Sequence, residues 1–240
     1  MDLAHYISQW IREKVGEAGA EGVVLGLSGG VDSALTAALA RRALGDKVLG
    51  LLMPCHSDPT DLEHARLVAD RFGIETEYVD LGPVFDGLMA SLLRGSAMAV
   101  ANLKPRLRMA ILYYFANGRN YLVAGTGNKS ELTVGYFTKF GDGGADLLPL
   151  GDLLKRQVRE LARELGVPEE IIAKPPSGGL WAGQTDEGEM GLTYDELDRA
   201  ISAIEQGDTK GCDEAVLERV KAMRAASEHK RQPIPICKIG

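Results

Sequence analysis

The most constraining feature of the sequence is an apolar run that passes through glycines into a helical stretch. Residues 22–27 read GVVLGL, residues 28–30 read SGG, and residues 31–44 read VDSALTAALARRAL. A short continuous apolar run bounded by a turn is typical of a strand that is buried on both faces. The Ala- and Leu-rich segment favours a helix that ends at Gly45. This part of the chain therefore predicts one strand–helix unit of an α/β protein.

The same alternation continues along the chain. Strands that alternate with helices favour a parallel sheet covered by helices on both faces, so we predict an α/β fold in a single domain over 1–240. Ligands of such sheets bind at the carboxyl ends of the strands, where the strand order reverses. Further strands are predicted at 47–53, 74–79 and 121–124. Helices are predicted at 2–18, 58–72, 83–93, 105–117, 154–165, 193–205 and about 212–228.

Two glycine-rich stretches interrupt this pattern. Residues 135–155 hold five glycines and little hydrophobic periodicity, and residues 174–191 are similar. Gly-rich segments without periodicity are typical of loops, so we expect mobile loops at both places.

Composition excludes several classes of protein. The formal net charge of −7 argues against a general nucleic-acid binder, which is usually basic. No apolar run of about 18 residues is present to cross a membrane, and the N-terminus has no signal-peptide pattern. The three cysteines are far apart in the sequence, which fits a reducing compartment. We therefore expect a cytoplasmic protein that binds neither nucleic acid nor membrane.

The turn after the first strand, SGGVDS, predicts an anion site. Gly29 and Gly30 let a ligand approach the backbone, and the free N–H groups of a helix start attract phosphate. Asp32 would repel phosphate unless a metal ion lies between them, and Mg²⁺ is commonly held by one or two carboxylates. Alternatively, Ser28 and Asp32 only cap the helix. Residues 26–30 also match G-x-S-x-G, which would make Ser28 a nucleophile and His229 its base.

A second polar turn follows the strand at 121–124. Its sequence is GTGNKSE, and we expect Thr126 and Glu131 to face the same crevice as Asp32. A second carboxylate suits Mg²⁺ bound across phosphates. A solvent-exposed helix residue is the alternative for Glu131.

Cationic residues gather at three other places. Residues 102–109 (NLKPRLRM) place three cations at a helix start, where they oppose the helix dipole. Lys139, Asp146 and Lys155 lie on or beside the first glycine-rich stretch, and EHKRQ occupies 228–232. The first is explained either by a solvated basic face or by an anionic ligand. The charges of the glycine-rich stretch are either ordinary loop charges or part of a lid that closes over the site, and EHKRQ by itself indicates a basic helix end.

Together and in this order, these motifs resemble the ammonia-dependent NAD⁺ synthetases, a family of PP-loop ATP pyrophosphatases. The matching blocks are LSGGVDS, NLKPRLRM, GTGNKSE, GYFTKFGDGGADLLPLGDLLKRQ, KPPSGGL, QTDEGEMGLTYDELD and EHKRQ, which extend over about 22–232. The resemblance implies a Rossmann-like, adenine nucleotide alpha hydrolase-like fold. It also implies amidation of deamido-NAD⁺ by ammonia, with ATP cleaved to AMP and pyrophosphate through an acyl-adenylate.

The resemblance further implies residue roles. The carboxylates of Asp32 and Glu131 match Mg²⁺ ligands, and with Lys155 they form the expected catalytic group. The ATP contacts implied are Gly26, Leu27, Ser28, Gly29, Gly30, Val31, Asp32, Ser33, Thr126, Lys155 and Ser177. The deamido-NAD⁺ contacts implied are Arg106, Lys139, Asp146, His229 and Lys230. Asp146 and solvent are the two alternatives for accepting the proton of ammonium.

The sequence departs from the family in places. Many members have Thr where this chain has Ser177, and GTDHAAE where it has GTGNKSE, which leaves contacts by Asn128 and Lys129 open. The family also implies a homodimer. The 240 residues leave no room for a glutaminase domain, so free ammonia is expected, with a separate glutaminase as the alternative. A tRNA-modifying PP-loop enzyme and a non-catalytic nucleotide-binding module are the competing functions.

Overall fold

The computed structural model describes residues 2–93, 95–181 and 183–239. Its centre is a parallel sheet in the order β3-β2-β1-β4. The strands are β1 (Gly22–Gly26), β2 (Val48–Leu52), β3 (Glu75–Tyr78) and β4 (Tyr121–Val123). All four lie within the predicted strand segments, so the predicted parallel α/β sheet is confirmed.

The long helices also lie where the sequence pattern predicts them. These are α1 (Leu3–Glu17), α2 (Val31–Leu44), α3 (Pro59–Phe72), α4 (Gly82–Ser91), α6 (Leu103–Arg119), α8 (Lys155–Glu164), α11 (Tyr194–Gln206) and α12 (Glu214–Ala226). Short helices that the pattern did not predict are α5 (Ala97–Ala101), α7 (Lys129–Val134), α9 (Glu169–Ile172), α10 (Asp186–Met190) and α13 (Glu228–Arg231).

The central strands are buried on both faces of the sheet. Successive side chains of a strand point to opposite faces, so neighbouring residues of β1 enter different cores. Val23 and Leu25 of β1 pack into a core with α1, α2 and α8. Val24, between them, packs into a second core with Leu49 of β2 and Phe85 of α4. Helices therefore cover both faces, as a parallel sheet requires.

β3 forms one edge of the sheet, and it differs from the other strands in its exposure to solvent. All four of its residues, ETEY, are exposed. Charged side chains on an edge strand discourage pairing with other chains. The pairing of β1 with both β2 and β4 places the reversal of strand order between β1 and β4. A ligand site is expected above that point.

The two glycine-rich stretches contain more structure than their composition indicates. Leu147 forms a parallel bridge with Ala124, and Leu150 is fully buried, so the second half of 135–155 packs along β4. Lys155 begins α8 rather than ending a loop. The second stretch, 174–191, contains α10. The mobility of both stretches stays a prediction.

A third core lies beside the sheet. Val134 of α7 packs with Leu197 of α11 and Leu217 of α12. Across the described ranges, no helix is both long enough and apolar enough to span a bilayer.

Candidate active site

A cavity of about 600 Å³ opens at the carboxyl ends of β1 and β4, where the strand order reverses. Its walls come from the turn after β1, from α6 and from residues 135–144 and 174–180. Most of the residues predicted to bind ATP or metal line it. These are Gly26, Leu27, Ser28, Gly30, Val31, Asp32, Ser33, Thr126, Glu131, Lys155 and Ser177, and Lys230 joins them.

The turn 28–33 is held by its own hydroxyl groups. The Ser28 amide donates to Ser33 Oγ at 3.2 Å, and Ser33 Oγ donates to the Gly30 carbonyl at 2.9 Å. Gly29 has φ +78°, and a Cβ there would lie 2.3 Å from the Asp61 carbonyl oxygen. Glycine is therefore required at this position both for its backbone conformation and for its packing against α3.

Lys155 is the centre of the charged cluster in the cavity. Its Nζ donates to Asp32 Oδ2 at 2.6 Å and to Glu131 Oε1 at 3.1 Å, and its side chain is 1% exposed. Burial alone would lower the pKa of Lys155, but the two carboxylates raise it above its ordinary value. The ammonium is therefore a permanent positive charge. The expected meeting of Asp32 and Glu131 at one crevice is confirmed.

Negative charge exceeds positive charge in this cluster. Tyr194 Oη lies 3.0 Å from both Glu131 Oε1 and Asp186 Oδ2, although a phenol has one proton to donate. Burial raises the pKa of Glu131 to about 7, the Lys155 ammonium opposes this, and Asp32 and Asp186 add to it. Burial likewise raises the pKa of Asp186.

The cluster continues into residues 184–189, of which Gln184, Asp186 and Glu189 line the cavity. Tyr136 Oη donates to Glu189 Oε2 at 2.8 Å and approaches Asp186 Oδ1 at 3.2 Å. Gln184 Nε2 donates to Glu189 Oε2 at 2.9 Å, while its Oε1 accepts from the Leu180 amide. Residues 183–189 are thereby connected to Tyr136 in the cavity wall.

Two residues from distant parts of the chain position Lys155. The side chain of Leu154, the N-cap of α8, offers no hydrogen bond. Ser130 Oγ accepts from the Lys155 amide at 2.9 Å, and Asp198 Oδ2 accepts from the Arg156 amide at 2.9 Å. Ser130 Oγ also donates to Asp198 Oδ1, and both residues are buried. The start of α8 is therefore capped from α7 and α11.

The residues expected to contact the dinucleotide lie at three different places: Lys230 in the cavity wall, Asp146 at the end of β4, and the other three together outside the cavity lining. Lys230 Nζ donates to the carbonyls of Gly135 and Phe137 within the cavity wall, and burial lowers its pKa. The other four residues lie outside the lining of the cavity. Arg106, Lys139 and His229 form a separate exposed group.

This exposed group is held together by backbone acceptors. Arg106 Nη2 donates to the Lys139 carbonyl at 3.4 Å, and Lys139 Nζ donates to the His229 carbonyl at 2.5 Å. Asp146 lies elsewhere, where it accepts from Tyr113 Oη and from the Val123 amide. Both of its oxygens are thus used at the end of β4.

The basic segment 102–109 divides between different surroundings. Lys104 is buried and donates to the Leu180 carbonyl at 2.8 Å. Arg108 lines the cavity and donates to Met53 O, and burial lowers its pKa. Lys174 pairs with Asp61 at the cavity wall. The site predicted from sequence missed Arg108, Lys174 and Asp186. Each of the three lies in a motif that the resemblance covers: Arg108 in NLKPRLRM, Lys174 in KPPSGGL and Asp186 in QTDEGEMG.

The donor set fits a hard cation that is completed by phosphate. Among the described residues, no group of three or more His, Cys, Asp or Glu side chains is arranged to hold a metal by itself. Asp32 and Glu131 contact the same ammonium, which puts two carboxylates on one side of the cavity. Mg²⁺ is usually held by one or two carboxylates together with substrate phosphates.

The serine-nucleophile hypothesis gains nothing from the geometry. Ser28 Oγ lies 3.1 Å from Ser33 Oγ, and His229 is exposed outside the cavity lining.

A glycine turn before a helix, a cavity at the switch point and a buried lysine between carboxylates define a nucleotide-binding α/β protein. The chain belongs to the NAD synthase family, whose model matches residues 3–234. It is 50% identical over 250 residues to the NH(3)-dependent NAD(+) synthetase of Syntrophomonas wolfei, covering 99% of this chain and 96% of that one.

Two solved structures are similar over nearly their whole lengths. The NMN synthetase of Francisella tularensis superposes with a TM-score of 0.90 at 37% identity, covering 99% of this chain and 98% of that chain. The NH3-dependent NAD synthetase of Campylobacter jejuni has a TM-score of 0.86 at 31% identity, with 99% and 100% covered. These similarities confirm the expected Rossmann-like fold of the PP-loop enzymes.

Proposed function

We propose that the chain is an ATP-dependent ligase that amidates deamido-NAD⁺ with free ammonia, the last step of NAD⁺ biosynthesis, and that 1–240 work as one catalytic domain. The observation that carries the proposal is the Lys155 cluster beside the glycine turn, at the switch point of the sheet. Ammonia is the proposed donor because the Syntrophomonas relative, named for it, matches along 96% of its own length.

The first step is adenylation. The nicotinate carboxylate attacks the α-phosphate of ATP, the α–β bond breaks, and pyrophosphate leaves. We assign the turn 26–33 to the ATP phosphates, with Thr126 and Ser177 as further contacts. Charge that builds on the leaving pyrophosphate meets the Lys155 ammonium, a fixed positive charge in a buried place. Preorganised charge of this kind is commonly the largest catalytic contribution.

We assign Asp32 and Glu131 to a bound Mg²⁺, which would supply positive charge to the phosphate oxygens. The carboxylates and Lys155 already neutralise one another in part, so the ammonium is held ready without a large reorganisation of charge. Arg108 and Lys174 also line the cavity, and Lys174 is paired there with Asp61.

The second step is attack of ammonia on the acyl-adenylate, with AMP leaving. Water must be kept away from this intermediate, and we assign this role to residues 183–189, of which Gln184, Asp186 and Glu189 line the cavity and hydrogen-bond to Tyr136. Because Asp146 lies outside the cavity lining, where it accepts from Tyr113 Oη and the Val123 amide, we assign deprotonation of ammonium to solvent. The exposed group of Arg106, Lys139 and His229 is assigned to the remainder of the dinucleotide, with Asp146 and Lys230.

A second candidate substrate is the corresponding mononucleotide. The Francisella structure, named an NMN synthetase, is the observation that favours it, because its fold matches with a TM-score of 0.90. The chemistry at the carboxylate is the same. A mononucleotide would not need contacts to a second nucleotide, so Lys139→Ala separates the two: it raises KM for deamido-NAD⁺ and leaves KM for nicotinate mononucleotide unchanged.

The test of function measures product with ATP, Mg²⁺ and each nicotinate substrate, using either ammonium or glutamine as donor. NAD⁺, AMP and pyrophosphate in equal amounts with ammonium alone is the expected result. Turnover with the mononucleotide only would reassign the substrate. Pyrophosphate from neither would favour a non-catalytic nucleotide-binding module.

We also propose a cytoplasmic homodimer. The three cysteines, all within the described ranges, are free thiols, which supports a reducing compartment. Tyr114 on α6 is 72% exposed, and Leu92, Leu93 and Met98 nearby in the sequence are exposed as well. Exposed apolar side chains of this kind suit contact with a second copy of the chain. Light scattering after size exclusion is expected to give about twice the monomer mass, and Tyr114→Glu is expected to reduce it.

A further inference from the structure

We propose that Asn128 is a positioning residue that holds Asp32 and Glu131 in one fixed arrangement for the bound cation. The proposal rests on the Mg²⁺ role assigned above to the two carboxylates. Asn128 follows β4 and is fully buried. It contacts both carboxylate residues, although Asp32 is 96 positions away in sequence and follows another strand.

Part of what Asn128 does is to cap a helix. Its side-chain Oδ1 accepts from the Glu131 amide at 3.1 Å, and its own amide donates to Glu131 Oε2 at 3.4 Å. This reciprocal pair is the capping box of α7. The box also sets the position of the Glu131 carboxylate, because it occupies Oε2 and leaves Oε1 to Lys155 and Tyr194.

A cap needs only an oxygen, so the contact with Asp32 is a separate feature. Asn128 Nδ2 donates to Asp32 Oδ1 at 2.8 Å. Ser and Asp cap helices about as well as Asn does, and neither offers an N–H there. The buried amide is thus a donor aimed at a charged acceptor, which makes a strong and directional hydrogen bond.

The consequence is that each oxygen of both carboxylates has a fixed partner. Asp32 Oδ1 is held by Asn128 and Oδ2 by Lys155. Without the amide, Asp32 is free to turn and give both oxygens to the Lys155 ammonium. A carboxylate has about four lone-pair sites, so the observed arrangement keeps some directed at the cavity. Groups that orient metal ligands typically matter 10–100-fold for metal affinity.

The test separates the two roles of Asn128 by substitution. Asn128→Ser keeps the capping oxygen and loses the longer amide group whose N–H reaches Asp32, whereas Asn128→Ala loses both. Asp213→Ala is the matched control, because Asp213 caps α12 by accepting from the Ala215 amide on a helix that contributes nothing to the cavity lining. Binding of Mn²⁺ is measured by electron paramagnetic resonance with α,β-methylene-ATP present, and melting temperature is measured without metal.

Asn128→Ser and Asn128→Ala are both expected to weaken Mn²⁺ binding ~10–100-fold. Asn128→Ala is expected to lose more melting temperature than Asn128→Ser, because only the Ala variant also loses the cap, and Asp213→Ala is expected to lose melting temperature with Mn²⁺ binding unchanged. Wild-type Mn²⁺ affinity in Asn128→Ser would overturn the inference and leave Asn128 as a cap, with the proposed function intact. Failure of the wild-type protein to bind Mn²⁺ with the analogue would instead refute the metal role of Asp32 and Glu131. Asn128→Thr, which also caps, replaces the Ser variant if that one does not fold.

Discussion

Substitution of Glu131 by Gln is expected to stabilise the protein at alkaline pH while it removes activity. The Glu131 side chain is 16% exposed, and its pKa rises from 4.5 to about 7, first because of burial and then because of Asp32 and Asp186. Each pKa unit of difference between folded and unfolded protein is worth about 1.4 kcal/mol. Ionisation of Glu131 in the folded protein therefore lowers the free energy of unfolding by about 3 kcal/mol.

The sign follows from which state binds the proton. Between pH 4.5 and about 7 the folded protein retains a proton that the unfolded chain has released, so the free energy of unfolding falls as pH rises through this range. Above pH 7 the full loss is present. Gln resembles the protonated carboxyl in being neutral, and it has one acceptor oxygen, which it can give either to Lys155 and Tyr194 or to the Asn128 amide of the capping box. The Gln variant should therefore not lose free energy of unfolding as the pH rises through this range.

The assay is urea unfolding in metal-free buffer at pH 4.5 and pH 8. Glu131→Gln is expected to exceed the wild type by about 3 kcal/mol at pH 8 and to match it near pH 4.5. Glu169→Gln is the control, because the hydrogen bond from Arg163 lowers the pKa of that exposed carboxyl, and no gain at pH 8 is expected. An equal difference at both pH values, or a less stable variant at pH 8, would refute the reasoning. The same variant should lose turnover, because Gln cannot supply the carboxylate that we assign to the bound Mg²⁺.

Three further substitutions test the site. Asp32→Asn should reduce single-turnover pyrophosphate release far more than it changes the calorimetric affinity for deamido-NAD⁺, and equal losses would contradict the metal role. Gly29→Ala should raise KM for ATP at least tenfold, because its Cβ would lie 2.3 Å from a backbone oxygen of α3. Gly45→Ala has a similar φ of +61° in open space, and should lower the melting temperature with KM unchanged. Asp198→Ala leaves buried donors unpaired, so we expect a loss of about 2–3 kcal/mol in urea unfolding and a lower kcat through Lys155. An unchanged kcat would show that the cap does not position the lysine.

The alternation of apolar runs and helical segments was enough to predict the sheet and the long helices. Strands such as β1 are apolar throughout because both faces are covered, and that pattern is local in sequence. The short helices were not predictable in the same way. α7 has six residues and α10 has five, so neither is long enough to show a helical period.

The candidate site was predictable where the chemistry depends on one short motif. SGGVDS and GTGNKSE each follow a strand, and parallel strands bring their carboxyl ends to one edge, so Asp32 and Glu131 were expected to meet. The basic motif at 102–109 was less informative. Its cations look alike in sequence, yet Lys104 contacts a backbone carbonyl and Arg108 lines the cavity.

By itself, the sequence determined the strand–helix alternation, the two polar turns and the carboxylates within them, because each depends on residues that are close along the chain. Only the tertiary structure decided that Lys155 lies between those carboxylates, that α8 is capped by Ser130 and Asp198, and that Asn128 reaches Asp32. These contacts join residues 24 to 123 positions apart. Their strength comes from burial, which removes competing water and makes each unpaired charge costly, and burial is a property of the packed fold.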